Sequence, residues 1–151
     1  MSFTAFFSRL ASLIAISYAI VWASFVVINA ANMPLMDDYD AVLQFLNNFS
    51  DADVWDRAQL LMETHNEHRI ATTRGAAVAG YLLSGTANFT WLILVGTALW
   101  MVLAWCFIRD AARYMRDELT VPLVALFLNL RYATLVNWAM AGVPHYMQAL
   151  F

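Results

Sequence analysis

Apolar blocks alternate with one polar interval along this chain. Residues 10–28 are nearly all apolar, and about 20 such residues cross the hydrocarbon core of a bilayer. This run exceeds the roughly 7–15 residues of a signal-peptide core, so a retained first span is expected. A polar interval occupies 33–74. No charge then occurs from Gly75 to Ile108, which is too long for one straight span. Ser84-Gly85-Thr86-Ala87-Asn88 favours a turn within it. The second span is therefore predicted at 89–108, with 76–83 continuing a preceding helix into the interface. Trp91 and Trp105 lie near its ends, where an aromatic belt would place them. A third apolar run starts at Leu119, with Pro122 suited to a first helical turn. It gives a span at 119–135, with Arg131 snorkelling to the outer interface. Asn137 to Gly142 reads as a tight turn, and 143–151 opens a fourth helix that is cut off. The fold class is all-α: a helical integral membrane protein of three spans plus the start of a fourth, as a single membrane domain or a fragment of a longer polytopic chain.

The polar interval itself predicts two amphipathic juxtamembrane helices. Over 37–49 the apolar positions are Tyr39, Val42, Leu43, Phe45, Leu46 and Phe49, while Asp37, Asp40 and Gln44 share the opposite face. Such a helix would lie on the membrane surface. The next is expected to start at Ser50, because Ser50-Asp51-Ala52-Asp53 matches a capping box with Asp in place of Glu. With no proline to stop it, this helix runs to Tyr81. Glu63, Asn66, Glu67 and Arg74 then form one polar stripe, with His65, His68 and Arg69 beside it.

Composition supports the membrane class. The chain is 62% apolar, above the 45–50% of soluble domains, and its mean hydropathy is +0.61. A net charge of −3 argues against a nucleic-acid partner. The lone Cys106 excludes an internal disulfide. Eight of the eleven acidic residues fall in the 33–74 interval. Arg109, Arg113 and Arg116 crowd the 109–118 loop, an inside signal that Arg9 repeats. The N-terminus is thus expected in the cytoplasm and the acidic loop outside.

Three kinds of chemistry suit the loop. Adjacent carboxylates Asp37 and Asp38, beside a low-dielectric boundary, suit a general base. His65, His68 and Glu67 could hold a divalent ion, although their spacing fits neither zinc-protease template, and no metal ligand is assigned. The third reading is a solvated acidic loop with weak surface ion pairs.

The order of these features resembles polytopic glycosyltransferases of the GT-C class. In that class a first transmembrane helix leads into a long outer loop with two juxtamembrane helices and an acidic pair at its start, the place of Asp37-Asp38 here. His65-Asn66-Glu67-His68-Arg69-Ile70 is similar to a Gln-His-Asn-Glu-His-Arg-Ile segment in a group of bacterial membrane proteins of this architecture, with Thr64 replacing the Gln. Asn137-Trp138-Ala139-Met140-Ala141-Gly142 is similar to that group's turn before the fourth helix. The resemblance implies transfer of a sugar from a polyprenyl-phosphate donor to an acceptor on the outer face of a bacterial inner membrane. It implies Asp37 or Asp38 as base, Arg69 and Arg74 on the donor phosphate, and Glu67 and His68 orienting the acceptor or binding a metal ion. Such a site needs more spans, supplied by the rest of a longer protein or by a homo-oligomer. The alternative is a small, non-enzymatic membrane protein that binds a partner through its acidic loop.

Overall fold

The computed structural model describes residues 3–65, 68–111, 113 and 143. Most of the predicted 109–118 loop, the 119–135 span, nearly all of 143–151, and Glu67 lie outside the described residues. Helix α1 (Phe3–Asn29) leads to a π-helical turn (Tyr39–Gln44) that runs directly into α2 (Phe45–Asp51). Next come α3 (Val54–Met62), two short strands β1 (Thr64–His65) and β2 (His68–Arg69), α4 (Ala71–Ser84) and α5 (Phe89–Ala111).

Among the described residues, two helices are long and apolar enough to cross a membrane, over Arg9–Asn29 and Phe89–Asp110. They contain the two spans expected at 10–28 and 89–108. Only 17% of the first apolar window and 33% of the second is buried. The core helix of a soluble domain would be mostly covered, so these helices present apolar surface outward. The covered part of α1 lies toward its carboxyl end. There Trp22 and Val26 join one core cluster with Ala41, Val42, Phe45 and Leu46 from the π turn and α2, Ile70 and Ala77 around α4, and Phe89, Leu92 and Ile93 from α5. The amphipathic expectation for 37–49 holds at its centre and fails at Tyr39, which is exposed. Val42, Phe45 and Leu46 are buried, while Asp37, Asp40 and Gln44 are exposed.

The break predicted at 84–88 is present, with a cap on each side. Gly85 closes α4 at φ 74, a left-handed conformation that costs glycine nothing. Asn88 opens α5, its Oδ1 accepting from the Trp91 amide at 2.9 Å. Helices α4 and α5 then pack closely, because Gly80 leaves room for the Trp91 ring. A Cβ at residue 80 would lie 2.5 Å from Trp91 Cδ1. Trp91 Nε1 donates to the Ala76 carbonyl at 2.9 Å.

The long second juxtamembrane helix expected from Ser50 to Tyr81 does not form. Ala52 turns to extended backbone and ends α2. The cap is three residues later than predicted: Asp53 Oδ1 accepts from the amides of Trp55 and Asp56, both at 2.9 Å. Asp53 directly precedes the apolar Val54-Trp55 pair, whereas Ser50 bonds back to the Asn47 carbonyl as part of α2. Glu63 is extended at ψ 143 and ends α3. β1 and β2 pair antiparallel, with Thr64 opposite Arg69 and His65 opposite His68. The polar stripe from Glu63 to Arg74 and the helical i, i+3 spacing of His65 and His68 are therefore both replaced. The segment between α1 and α5 has three helical pieces and a small ladder instead of two helices.

Candidate functional site

Two candidate base residues, adjacent in sequence, occupy opposite environments. Asp37 is exposed and Asp38 is 1% exposed. The chain arrives there through Met36, which has φ 50. A bulky residue in this region is uncommon and strained. A tight turn follows: the Asp38 amide donates to the Leu35 carbonyl at 3.0 Å, and the Leu35 amide donates to Asp38 Oδ2 at 3.0 Å. The carboxylate is thus fixed by its own turn at the mouth of the π turn, four residues from buried Val42. The Asp37 carbonyl accepts from the Ala41 amide at 2.8 Å, while its side chain stays in water.

Arg74 is placed by α4 and is 5% exposed. Its Nη1 donates to the carbonyls of Leu60 and, at 2.7 Å, Glu63. Those carbonyls belong to the last turn of α3, which leaves such groups without helical partners. The guanidinium also lies over the Phe45 ring, 5.0 Å from its centroid. Burial lowers the Arg74 pKa below its usual value, and the Glu63 carboxylate opposes that shift. Arg74 Nε and the Thr73 hydroxyl are buried without a hydrogen-bond partner among the described residues. Thr73 and Arg74, with Asp38, are three of the four buried polar residues described; the fourth, Thr97, bonds to its own helix at Ile93.

Arg57 repeats this arrangement one helix earlier. Its Nε and Nη2 donate to the carbonyls of Phe49 and Ser50 at 3.0 and 3.1 Å, and it lies 5.2 Å from the Phe49 centroid. Phe45 and Phe49 are themselves 5.6 Å apart. Two arginines thus close the carboxyl ends of α2 and α3 and flank one phenylalanine pair. Sequence reasoning missed both roles. The signal was an Arg following each helix end by several residues with a phenylalanine in reach, and only the tertiary fold shows which carbonyls they meet.

No family model, curated protein or solved structure matches this chain.

The remaining site residues separate. His65 and His68 face each other in backbone register, and His65 Nε2 is buried without a partner among the described residues. Arg69 is placed only by its backbone in β2. Among the described residues no group of three His, Cys, Asp or Glu is arranged to hold a metal ion. An open hollow of about 450 Å³ lies between α2 and α3 and is lined by Asn48, Asp51, Asp56, Gln59 and Glu63 together with Ala52 and Leu60. It is anionic and sits apart from the Asp38 turn in sequence and in lining.

Proposed function

We propose that this chain is the N-terminal membrane module of a GT-C-like glycosyltransferase, with a polyprenyl-phosphate sugar as donor. The observation that carries the reading is Asp38, a buried carboxylate held by backbone in the first turn after a membrane-length helix. Burying an ionisable group is costly, and pre-positioning is what a general base requires. In the proposed step Asp38 takes the proton of an acceptor hydroxyl. The acceptor oxygen attacks the anomeric carbon, the bond to phosphate breaks, and polyprenyl phosphate leaves with inversion at carbon. Arg69 supplies positive charge to the leaving phosphate, for which a guanidinium fork is suited. Glu67 and His68 stand nearby in sequence to orient the acceptor. Arg74 is assigned a positioning role, because Nη1 is already committed to two carbonyls.

In this reading α1 and α5 cross a bacterial inner membrane with the N-terminus inside. The 30–88 segment lies on the outer face, and a third span and further helices complete the donor cavity. The test is release of polyprenyl phosphate by membranes that carry the full chain, supplied with a panel of polyprenyl-phosphate hexoses. Release above that of control membranes is expected with at least one donor; none with any donor contradicts the enzyme reading.

A second reading has its own observation. The anionic hollow between α2 and α3 suits a cationic segment of a partner protein, and it would do so in a protein with no catalytic role.

A further inference from the structure

Helix α3 turns its apolar edge away from the protein. Val54 is 83% exposed and Trp55 79%, and Met62 is also exposed. With Ala58, also exposed, they follow the i, i+4, i+8 and i, i+7 spacing of one helix edge. Arg57, Leu60 and Leu61 are the half-buried inward positions. Asp56, Gln59 and Glu63 line the anionic hollow, about 120° around the helix from the apolar edge at ~100° per residue.

This orientation is held at three points. Asp53 caps the first turn through the amides of Trp55 and Asp56. Arg57 ties the middle of α3 to the end of α2, and Arg74 ties its last carbonyls to α4. α3 cannot roll to bury Trp55 without breaking these bonds.

Helix α3 is carried by elements that pack on the two long helices. The supports of α3, namely α2 and α4, share their core with Trp22 and Val26 of α1. Trp22 lies seven residues, about 10 Å, inside the end of α1 at 1.5 Å per residue. These short helices therefore pack against the carboxyl-terminal end of α1. Further exposed apolar side chains border the span ends on either side: Met33, Leu35 and Met36 after α1, and Leu82 and Leu83 before α5. Tryptophan, with an apolar body and one N–H, favours the interfacial depth of a bilayer.

We infer that the Val54–Trp55–Met62 edge of α3 rests in the interfacial layer of the bilayer crossed by α1 and α5. The contact is apolar. The acidic edge points to water, so added salt does not release it. This inference rests on α1 and α5 being spans, and one position in the experiment reports on that premise separately.

The experiment places single nitroxides at Leu13→Cys, Trp55→Cys and Gln59→Cys in a Cys106→Ala background, with the full chain in phosphatidylcholine vesicles. Collision with oxygen, which partitions into lipid, is compared with collision with a water-soluble nickel chelate. Residue 13 should be strongly oxygen-favoured, residue 55 oxygen-favoured at shallow depth, and residue 59 nickel-favoured. Residue 55 as nickel-accessible as residue 59 overturns the inference. So does shielding of residue 55 from both probes, which would mean that a second copy or further helices cover it. Loss of oxygen preference at residue 13 overturns the premise and the inference together.

Discussion

The Phe89 amide donates to Asn32 Oδ1 at 2.8 Å, across 57 residues of chain. The acceptor lies three residues past the end of α1 and the donor is the first residue of α5, so one bond sets the ends of the two long helices side by side. Everything between them is a closed excursion that returns to its starting level. Phe89 is among the first-turn amides of α5 that have no helical partner, and Asn32 serves it as a cap from a distance. Asn32→Ala should lower thermal stability by about 1 kcal/mol, the usual worth of such a cap, and Asn32→Asp should recover most of it. An unchanged melting temperature for Asn32→Ala would show that the two ends are held by packing alone.

Arg74 makes a stronger test of how the site is supported. Removing it leaves two last-turn carbonyls of α3 unpaired and the Phe45 ring uncovered. Hydrogen bonds to a charged group are worth about 1.5–3 kcal/mol, so Arg74→Ala should cost about 3 kcal/mol in chemical denaturation. Arg74→Lys should recover less than half, since an ammonium has no planar face to lay on the Phe45 ring. Full stability in Arg74→Ala would return Arg74 to the pool of phosphate-binding candidates.

The lowered pKa of Arg74 fixes a sign for its pH dependence. With the folded pKa below that of the unfolded chain, the unfolded chain binds more protons between the two values, and stability rises with pH there. Below that window the cost of burying the charge is constant, and Arg74 adds no slope. The Glu63 carboxylate favours the charged form. Glu63→Gln should therefore destabilise slightly at neutral pH, by about 0.5 kcal/mol or less because Glu63 is exposed and screened. Stabilisation by Glu63→Gln would contradict this.

Met36 holds the chain in a left-handed conformation just before the acidic pair. Relieving it with Met36→Gly should stabilise by about 0.5–1 kcal/mol, the left-handed penalty less the extra entropy that glycine loses on folding. The side chain is exposed, so little packing is lost. Destabilisation on calorimetry would mean that the Met36 side chain matters more than its backbone.

The long helices and the turn between α4 and α5 were legible in the sequence for local reasons. Uninterrupted apolar runs need no tertiary context, and Gly85 and Asn88 act within one turn of their own positions. The break after Met62 was not legible. Glu63 to Arg69 contains no glycine or proline, and its polar positions fit a helical stripe as well as a hairpin. The pairing of Thr64–His65 with His68–Arg69 and the reach of Arg74 back to Leu60 and Glu63 decide against the stripe. At Ser50 the cap pattern fitted two registers, and the onset of Val54-Trp55 selects Asp53. The acidic pair was visible as a pair, but its division into one exposed and one buried carboxylate depends on the Leu35–Asp38 turn.

That division makes the most direct test. Polyprenyl-phosphate release should be compared for Asp37→Asn and Asp38→Asn in membranes with equal amounts of inserted protein. Asparagine at 38 retains an oxygen for the Leu35 amide, so the turn is kept while the base is removed. Asp38→Asn should reduce the rate by about 10²–10⁴-fold, the usual contribution of a general base, with Asp37→Asn within a few-fold of the parent. Equal activity in the parent and Asp38→Asn would contradict the central claim.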